Sequence, residues 1–332
     1  MTDLALTQSA KFSFFSPATM QKAVAFVVLI GLLLFFSYFA DNFMQWNNMV
    51  NIMLATAVNG VLGIACTFVI ISAGIDLSVG TMMTFTAVLS ALTLINVGMP
   101  MPFGILAAML GGAFMGGITG VVIAKFKIPP FIATLGMMQI TRGLALVMSG
   151  GHPIYLDTVP NFGLISADSS ISLLFPNVEF PNGVIVMFAV AIIASIILNR
   201  TILGRYIFAL GSNEEAARLS GMDVDFWKIV TYSLSGLIAG IGGLLVSSRL
   251  ASAQPALGLG YELDAIAACV IGGTSLSGGR GSMLGTIIGA FVMSTLTNGL
   301  RVMGVAEEWK IVVTGIVIIA AVYIDMRLRK KA

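Results

Sequence analysis

The stretch Asn199-Arg-Thr-Ile-Leu-Gly-Arg-Tyr-Ile-Phe-Ala-Leu-Gly-Ser-Asn-Glu-Glu-Ala-Ala-Arg-Leu-Ser-Gly221 is the longest interruption carrying both signs of charge in an otherwise apolar chain. Its second half reads as a short helix. Ser212 followed three residues later by Glu215 has the spacing of a capping box. Glu214 and Glu215 fall in the first turn, where the helix dipole favours acids, and Arg218 falls near the end, where it favours bases. Gly221 is placed for a left-handed stop. Between the caps, Ala216, Ala217 and Leu219 leave a small apolar surface. A helix this short is unstable alone in water. It needs something to dock on, and the groove of a partner subunit would serve. An ordinary solvated loop helix is the other reading of the same pattern.

What surrounds this stretch sets the fold class. Of 332 residues, 58% are hydrophobic and 10% charged, and the mean hydropathy is +1.00. A soluble domain carries about 25% charge. The expected fold is all-α, a polytopic transmembrane helix bundle of about ten spans. Candidate spans are 22–40, 49–71, 77–97, 103–124, 130–148, 183–199, 228–248, 263–273, 283–300 and 309–326. The eighth is too short to cross ~30 Å of hydrocarbon as a straight helix. It reads as a broken or re-entrant piece packed inside protein, where irregular backbone is tolerated. Residues 1–21 form an N-terminal segment, 22–326 the membrane domain with its polar loop at 200–227, and 327–332 a basic tail.

The first span reads as retained. Lys11 and Lys22 precede an apolar run that ends Ser37-Tyr38-Phe39-Ala40 before Asp41, without small residues at both positions a signal peptidase reads. Charge bias orients the rest. Lys125, Lys127, the 200–228 loop, Arg280 and the tail residues Arg327, Arg329, Lys330 and Lys331 fall on one side. Residues 150–181 fall on the other, with no Lys or Arg and with Asp157, Asp168 and Glu179. Both termini are therefore expected in the cytoplasm, which requires an even number of spans. Arg249 and Arg301 on the outer side fit less well. The net charge of +2 is spread over loop edges and the C-terminus, so no nucleic-acid face is expected.

Glycines recur every fourth residue at Gly112, Gly116 and Gly120, at Gly236 and Gly240, and at Gly281, Gly285 and Gly289, a spacing that lets helices approach closely in lipid. Gly74-Ile-Asp-Leu-Ser-Val-Gly80 and Gly273-Thr-Ser-Leu-Ser-Gly-Gly279 look like one motif used twice, each between two apolar runs. Transporters contain such repeats, with interrupted helices at matching positions.

Polar residues inside spans mark a hydrophilic path. Arg142 lies inside the fifth span beside Gln139, where an arginine costs at least ~2.5 kcal/mol. Asn59 lies in the second span and Asn298 in the ninth. Asp76 and Ser78 sit between the second and third, and Gln254 and Glu262 stand at the start of the eighth. The structural alternative is that these residues bridge helices, cap their ends or snorkel. Two otherwise expensive charges suggest an Asp76–Arg142 contact. The candidate carboxylates fall at span ends, which speaks against an ion-coupled secondary transporter. Cys66 and Cys269 lie in apolar runs and read as small buried hydrophobes. No phosphate-binding loop, metal-ligand spacing, nucleophile elbow or cofactor fingerprint is present. No catalytic residue, metal or cofactor is expected in this chain, and His152, before Pro153 in a loop, has no partner in the pattern.

Three blocks carry a resemblance. Ile71-Ser-Ala-Gly-Ile-Asp-Leu-Ser-Val-Gly80, Leu203–Met222 and Ala251–Gly281 resemble the sugar permeases of bacterial ATP-binding-cassette importers. The resemblance implies a permease subunit of the bacterial inner membrane that pairs with a second copy of itself. The pair would sit on two cytoplasmic ATPase subunits, which hold ATP and Mg, and would receive a monosaccharide from a periplasmic binding protein. Ribose is the first candidate. Galactose, xylose, arabinose and a furanose signal are the others. In such families a coupling helix docks in the ATPase, and Glu215-Ala216-Ala217 with Gly221 matches that pattern. Ser212, Glu214, Glu215, Ala216, Ala217, Arg218, Leu219 and Gly221 are thus the expected coupling residues.

Overall fold

A computed structural model of the chain describes residues 17–173 and 180–330. Lys11, Glu179 and Lys331, and the side chains of Arg327, Arg329 and Lys330, lie outside what it describes. The helices are α1 Pro17–Phe39, α2 Trp46–Ile71, α3 Val79–Ile95, α4 Met101–Ala124, α5 Pro130–Ser149, α6 Asn182–Arg200, α7 Ile202–Ser212, α8 Glu214–Leu219, α9 Val224–Leu250, α10 Tyr261–Ile271, α11 Met283–Val302 and α12 Glu307–Lys330. Each expected span coincides with one helix. The extra pair, α7 and α8, occupies the polar stretch. Among the described residues, seven helices are long and apolar enough to cross a membrane: α1, α2, α4, α5, α6, α9 and α11. The chain is a polytopic helical bundle.

The core forms around α2. Every residue from Thr56 to Ile71 is buried. A helix without a polar face belongs inside a bundle, and α6, α9, α10 and α11 surround this one. The glycine spacings show what they are for. A Cβ on Gly112 of α4 would meet the Gly236 carbonyl of α9, and a Cβ on Gly236 would meet the Gly112 carbonyl. Gly116 lies on the Tyr232 carbonyl, Gly120 on Ile229 and Gly240 on Ala108, so the two helices run antiparallel with backbones touching. Gly285 and Gly289 of α11 press in the same way on Gly272 and Ala268 around α10. In lipid, where apolar burial between helices gains little, this close packing is the attraction.

At the end of the bundle where α9 finishes, residues 150–173 and 180–181 fold back over the helices. Strand β1, Ile154–Tyr155, pairs antiparallel with β2, Ser252–Ala253. Ser248 pins the loop, accepting from the Ser166 amide at 3.0 Å and donating to the Phe162 carbonyl at 2.9 Å. The Asn182 amide donates to the Leu164 carbonyl and accepts from the Ser170 N–H, each at 2.8 Å.

Two of the helices at expected spans are short. α10 has 11 residues, in keeping with its reading as a broken piece. α3 has 17 and was expected to span fully over 77–97. It starts and ends two residues inside those bounds, after a turn in which Gly74, Asp76 and Ser78 are buried. The two similar Gly/Ser segments lie against each other. The Gly279 N–H donates to the Ile71 carbonyl at 2.8 Å, and a Cβ on Gly278 would meet Ala73.

Candidate functional site

The polar stretch folds as a helix pair. In α8, Ala217 is the one buried residue, 9% exposed, and packs with Leu210 of α7 and Val224 of α9. Glu214, Glu215, Ala216, Arg218 and Leu219 face outward, and Leu219 is 84% exposed. Acids open the helix and Arg218 closes it, as the sequence suggests. Gly221 adopts φ +85°, and the Met222 N–H reaches back to the Ala217 carbonyl at 3.2 Å, a left-handed stop that glycine takes without strain. The capping box on Ser212 is not formed. Ser212 ends α7, and the cap is Asn213, whose Oδ1 accepts from the Ala216 N–H at 2.9 Å. Asparagine caps as well as serine, and the continuation of α7 through Ser212 leaves that backbone helical.

Five ion pairs gather around α8, two of them joining it to α9. Arg218 Nη2 stands 3.5 Å from Glu214 Oε1 and 3.3 Å from Asp225 Oδ1, and Lys228 Nζ stands 2.7 Å from Glu214 Oε2. Asp225 also holds Lys127 at 2.9 Å and Lys125 at 3.9 Å, both from the α4–α5 turn.

The second cluster lies where the broken helices begin. Asp76, 5% exposed, accepts at Oδ1 from the Ser78 N–H at 2.9 Å and from the Ser78 hydroxyl at 2.6 Å. Its Oδ2 accepts from Ser235 of α9 at 2.9 Å. Beside it, the Tyr232 hydroxyl donates to the Ile75 carbonyl at 3.3 Å. Ser235 lies eleven residues beyond Val224 in α9, about 16 Å of helix rise, so Asp76 is near the middle of the bundle. Gly80 opens α3 directly against Gly258, in the segment leading to α10. A Cβ on either would strike the other's carbonyl. The same Cβ on Gly80 would crowd Glu262 Oε2. Glu262, 7% exposed, folds back so that Oε1 and Oε2 accept from the Gly260 N–H at 3.2 and 3.1 Å. Two helix starts thus approach each other, touching at Gly80 and Gly258. Each has an acid on its exposed N–H groups, the arrangement that a positive helix end favours.

This placement refines one expectation and corrects another. The carboxylates of Asp76 and Glu262 stand at helix starts, as the sequence suggests, but both are buried in the protein rather than open at its surface. Asp76 does not pair with Arg142. Its donors are Ser78 and Ser235, and among the described residues no ion pair joins it to the arginine.

The other candidates are scattered. The Asn59 amide of α2 donates to Ser294 of α11 at 3.3 Å. Asn59 Oδ1, Asn298 Oδ1 and Thr295 Oγ1 along the same seam are buried without a donor or acceptor. Gln254 lies exposed on the β2–α10 segment, its amide 3.4 Å from Ser252 Oγ. On α5, Gln139 is exposed and Arg142 half-buried, and open space adjoins Gly136 and Gly143. Ser235, Tyr232, Ser294, Gly258, Asn213 and Asp225 are contributors the sequence reading missed. A serine or tyrosine in an apolar helix carries no local sign of a partner well over a hundred residues away. Cys66 and Cys269 are both buried. Among the described residues no group of His, Cys, Asp and Glu is placed to hold a metal ion.

The family described as branched-chain amino acid transport system / permease component matches residues 48–322. The chain belongs to this permease family. It is 39% identical to the ribose import permease protein RbsC of Escherichia coli (strain K12) over 315 residues, 94% of this chain and 96% of that one. Against the fructose import permease protein FrcC of Rhizobium meliloti it is 37% identical over 317 residues, 93% of this chain and 86% of the other. The xylose transport system permease protein XylH of Escherichia coli (strain K12) is 33% identical over 383 residues, 99% and 98% of the two chains. No solved structure matches. The resemblance read from the three sequence blocks is borne out, and the chain is a multi-pass membrane permease.

Proposed function

We propose that this permease imports a monosaccharide, with ribose first, as the membrane subunit of an ATP-binding-cassette importer in the bacterial inner membrane. The observation that carries the reading is α8. A six-residue helix capped at both ends holds an almost fully exposed leucine away from the bundle, on the side the charge bias assigns to the cytoplasm. An exposed leucine beside small and charged neighbours suits the groove of a partner protein. The partner is a cytoplasmic ATPase that holds ATP and Mg and docks on Glu215, Ala216 and Leu219. The names of the three relatives favour a sugar, and ribose heads the candidates because the ribose permease is the most similar of the three. Fructose and xylose are the nearest alternatives.

The outward face of α5 supports a second copy. Gln139 and Arg142 would be costly against lipid, and the open space at Gly136 and Gly143 leaves their neighbourhood accessible. Two such faces turned toward each other would line a polar path between copies, fed by a periplasmic sugar-binding protein. The unpartnered oxygens of Asn59, Asn298 and Thr295 are acceptor sites that sugar hydroxyls or water can satisfy as the α2–α11 seam opens.

Asp76 and Glu262 are buried, as carboxylates of a proton-coupled carrier would be. Both are instead committed to donors, Glu262 to the Gly260 N–H and Asp76 to Ser78 and Ser235, and family membership favours the ATP-driven reading. The test is co-purification of the chain with the ATPase encoded beside it, followed by reconstitution and uptake of labelled ribose. Leu219→Glu is expected to lose the complex and ATP-driven uptake. A wild-type chain that takes up ribose without any ATPase sinks the proposal.

A further inference from the structure

We infer that Asp225 is the positioning residue that joins α8 to the α4–α9 pair, so that a displacement of α8 is delivered to those two helices together. This rests on the coupling reading above and names the recipient of the motion. α8 has little apolar seating, since Ala217 is its one buried residue. Its other ties are ionic, and those leaving α8 run to the first turns of α9, from Arg218 to Asp225 and from Glu214 to Lys228. Asp225 is shared. While Arg218 holds it from α8, Lys127 and Lys125 hold it from the turn that follows α4. Its side chain is only 18% exposed, against 59% and 60% for the two lysines. Isolated surface ion pairs contribute little, but several cations converging on one partly shielded acid form a network.

The recipient is rigid. Gly112, Gly116 and Gly120 place the α4 backbone directly on α9 at Gly236, Tyr232 and Ile229, so neither helix slides without lifting off the other. α9 then carries Ser235 to Asp76 at the start of α3. The connection runs from α8 through Asp225 to the α4–α9 pair, and from Ser235 to the broken helix. Removing the charge of Asp225 leaves Arg218, Lys127 and Lys125 around a neutral group. Their mutual repulsion then favours separation of α8 from the α4–α5 turn.

The experiment uses the assembled permease–ATPase complex in lipid vesicles with a ribose-loaded binding protein. It reads three quantities: ATPase recovered with the permease, hydrolysis with and without the binding protein, and ribose taken up per ATP hydrolysed. Asp225→Asn is expected to keep assembly and unstimulated hydrolysis within about twofold while ribose per ATP falls about fivefold or more, the range of a coupling free energy. Asp225→Glu retains coupling. Lys127→Gln, on a side chain 59% exposed, lowers ribose per ATP in the same direction by a smaller factor. Unchanged ribose per ATP in both Asp225→Asn and Lys127→Gln overturns the inference and leaves the importer reading intact. Loss of assembly in Asp225→Asn, with Lys127→Gln at wild-type coupling, also overturns it, because the residue then acts in docking. A wild-type chain that assembles with no ATPase overturns the importer reading, and this inference with it.

Discussion

Ser235 donates to Asp76 Oδ2 at 2.9 Å, tying the middle of α9 to the turn from which α3 starts. The bond spans 159 residues of sequence and both side chains are buried. The other carboxylate oxygen is taken by Ser78, through its amide and its hydroxyl. Asp76 is therefore the shared acceptor of a broken-helix start and a long helix, and it fixes where α3 begins relative to α9.

Asp76→Ala leaves those donors buried without an acceptor. The expected loss of stability is about 3 kcal/mol, because unsatisfied buried polar groups retain their desolvation penalty. Ser235→Ala removes one donor and leaves Asp76 Oδ1 bonded, with an expected loss of about 1 kcal/mol. Denaturant unfolding of the two variants in detergent micelles checks the order. Equal stability of Asp76→Ala and wild type would show that the turn is held by other contacts.

The glycines separate into packed and open ones. Gly236→Leu must push α4 from α9, since even a Cβ there meets the Gly112 carbonyl. Overpacking of this kind costs about 1–3 kcal/mol or more. Gly136→Ala on α5 meets nothing within 4 Å and gains about 0.5–1 kcal/mol from the better helix former. The same unfolding assay distinguishes the two. Destabilisation by Gly136→Ala as large as that by Gly236→Leu would mean that the α5 face is packed.

Much of this was legible in the sequence, and the rest was hidden for physical reasons. Hydropathy places Pro130–Ser149 and Met283–Val302 within a few residues, because a spanning helix needs its own continuous apolar length. The same signal finds α3 within two residues but does not show what the turn before it touches. Residues 72–78 read as a polar turn between two spans, and only the contact with Ser235 shows that Asp76 is buried against α9. The glycine spacing was visible, but not which helix it would meet. α7 was missed because its charged and apolar residues read as loop, although Thr201 accepts from the Gly204 N–H at its start. At α8, the ends and charges were legible. The cap was assigned one residue early because Ser212 and Asn213 are both good caps and the spacing to Glu215 favoured Ser212.

That one-residue shift gives a further prediction. Asn213→Ala removes the acceptor for the Ala216 N–H and is expected to weaken α8 by about 1 kcal/mol. Ser212→Ala leaves the cap in place. Hydrogen exchange at the Ala216 amide, followed by mass spectrometry of the solubilised chain, is expected to quicken about fivefold in Asn213→Ala and to stay unchanged in Ser212→Ala. Faster exchange in Ser212→Ala alone would restore the capping-box reading.

The α5 face gives the last prediction. Gln139 is exposed there, and Phe114 is 68% exposed on α4. If two copies enclose a polar path, water reaches Gln139 in the assembled pair, whereas Phe114 faces hydrocarbon. The native cysteines, Cys66 and Cys269, are both buried, so neither is expected to react with a water-soluble thiol reagent in the folded protein. Gln139→Cys in the assembled complex should be labelled by a membrane-impermeant maleimide from one side, and Phe114→Cys should resist it from both. Saturating ribose is expected to slow labelling of Gln139→Cys if the sugar passes that point. Labelling no faster at Gln139→Cys than at Phe114→Cys would place the α5 face against lipid and leave the cost of Arg142 to be met by snorkelling toward the interface.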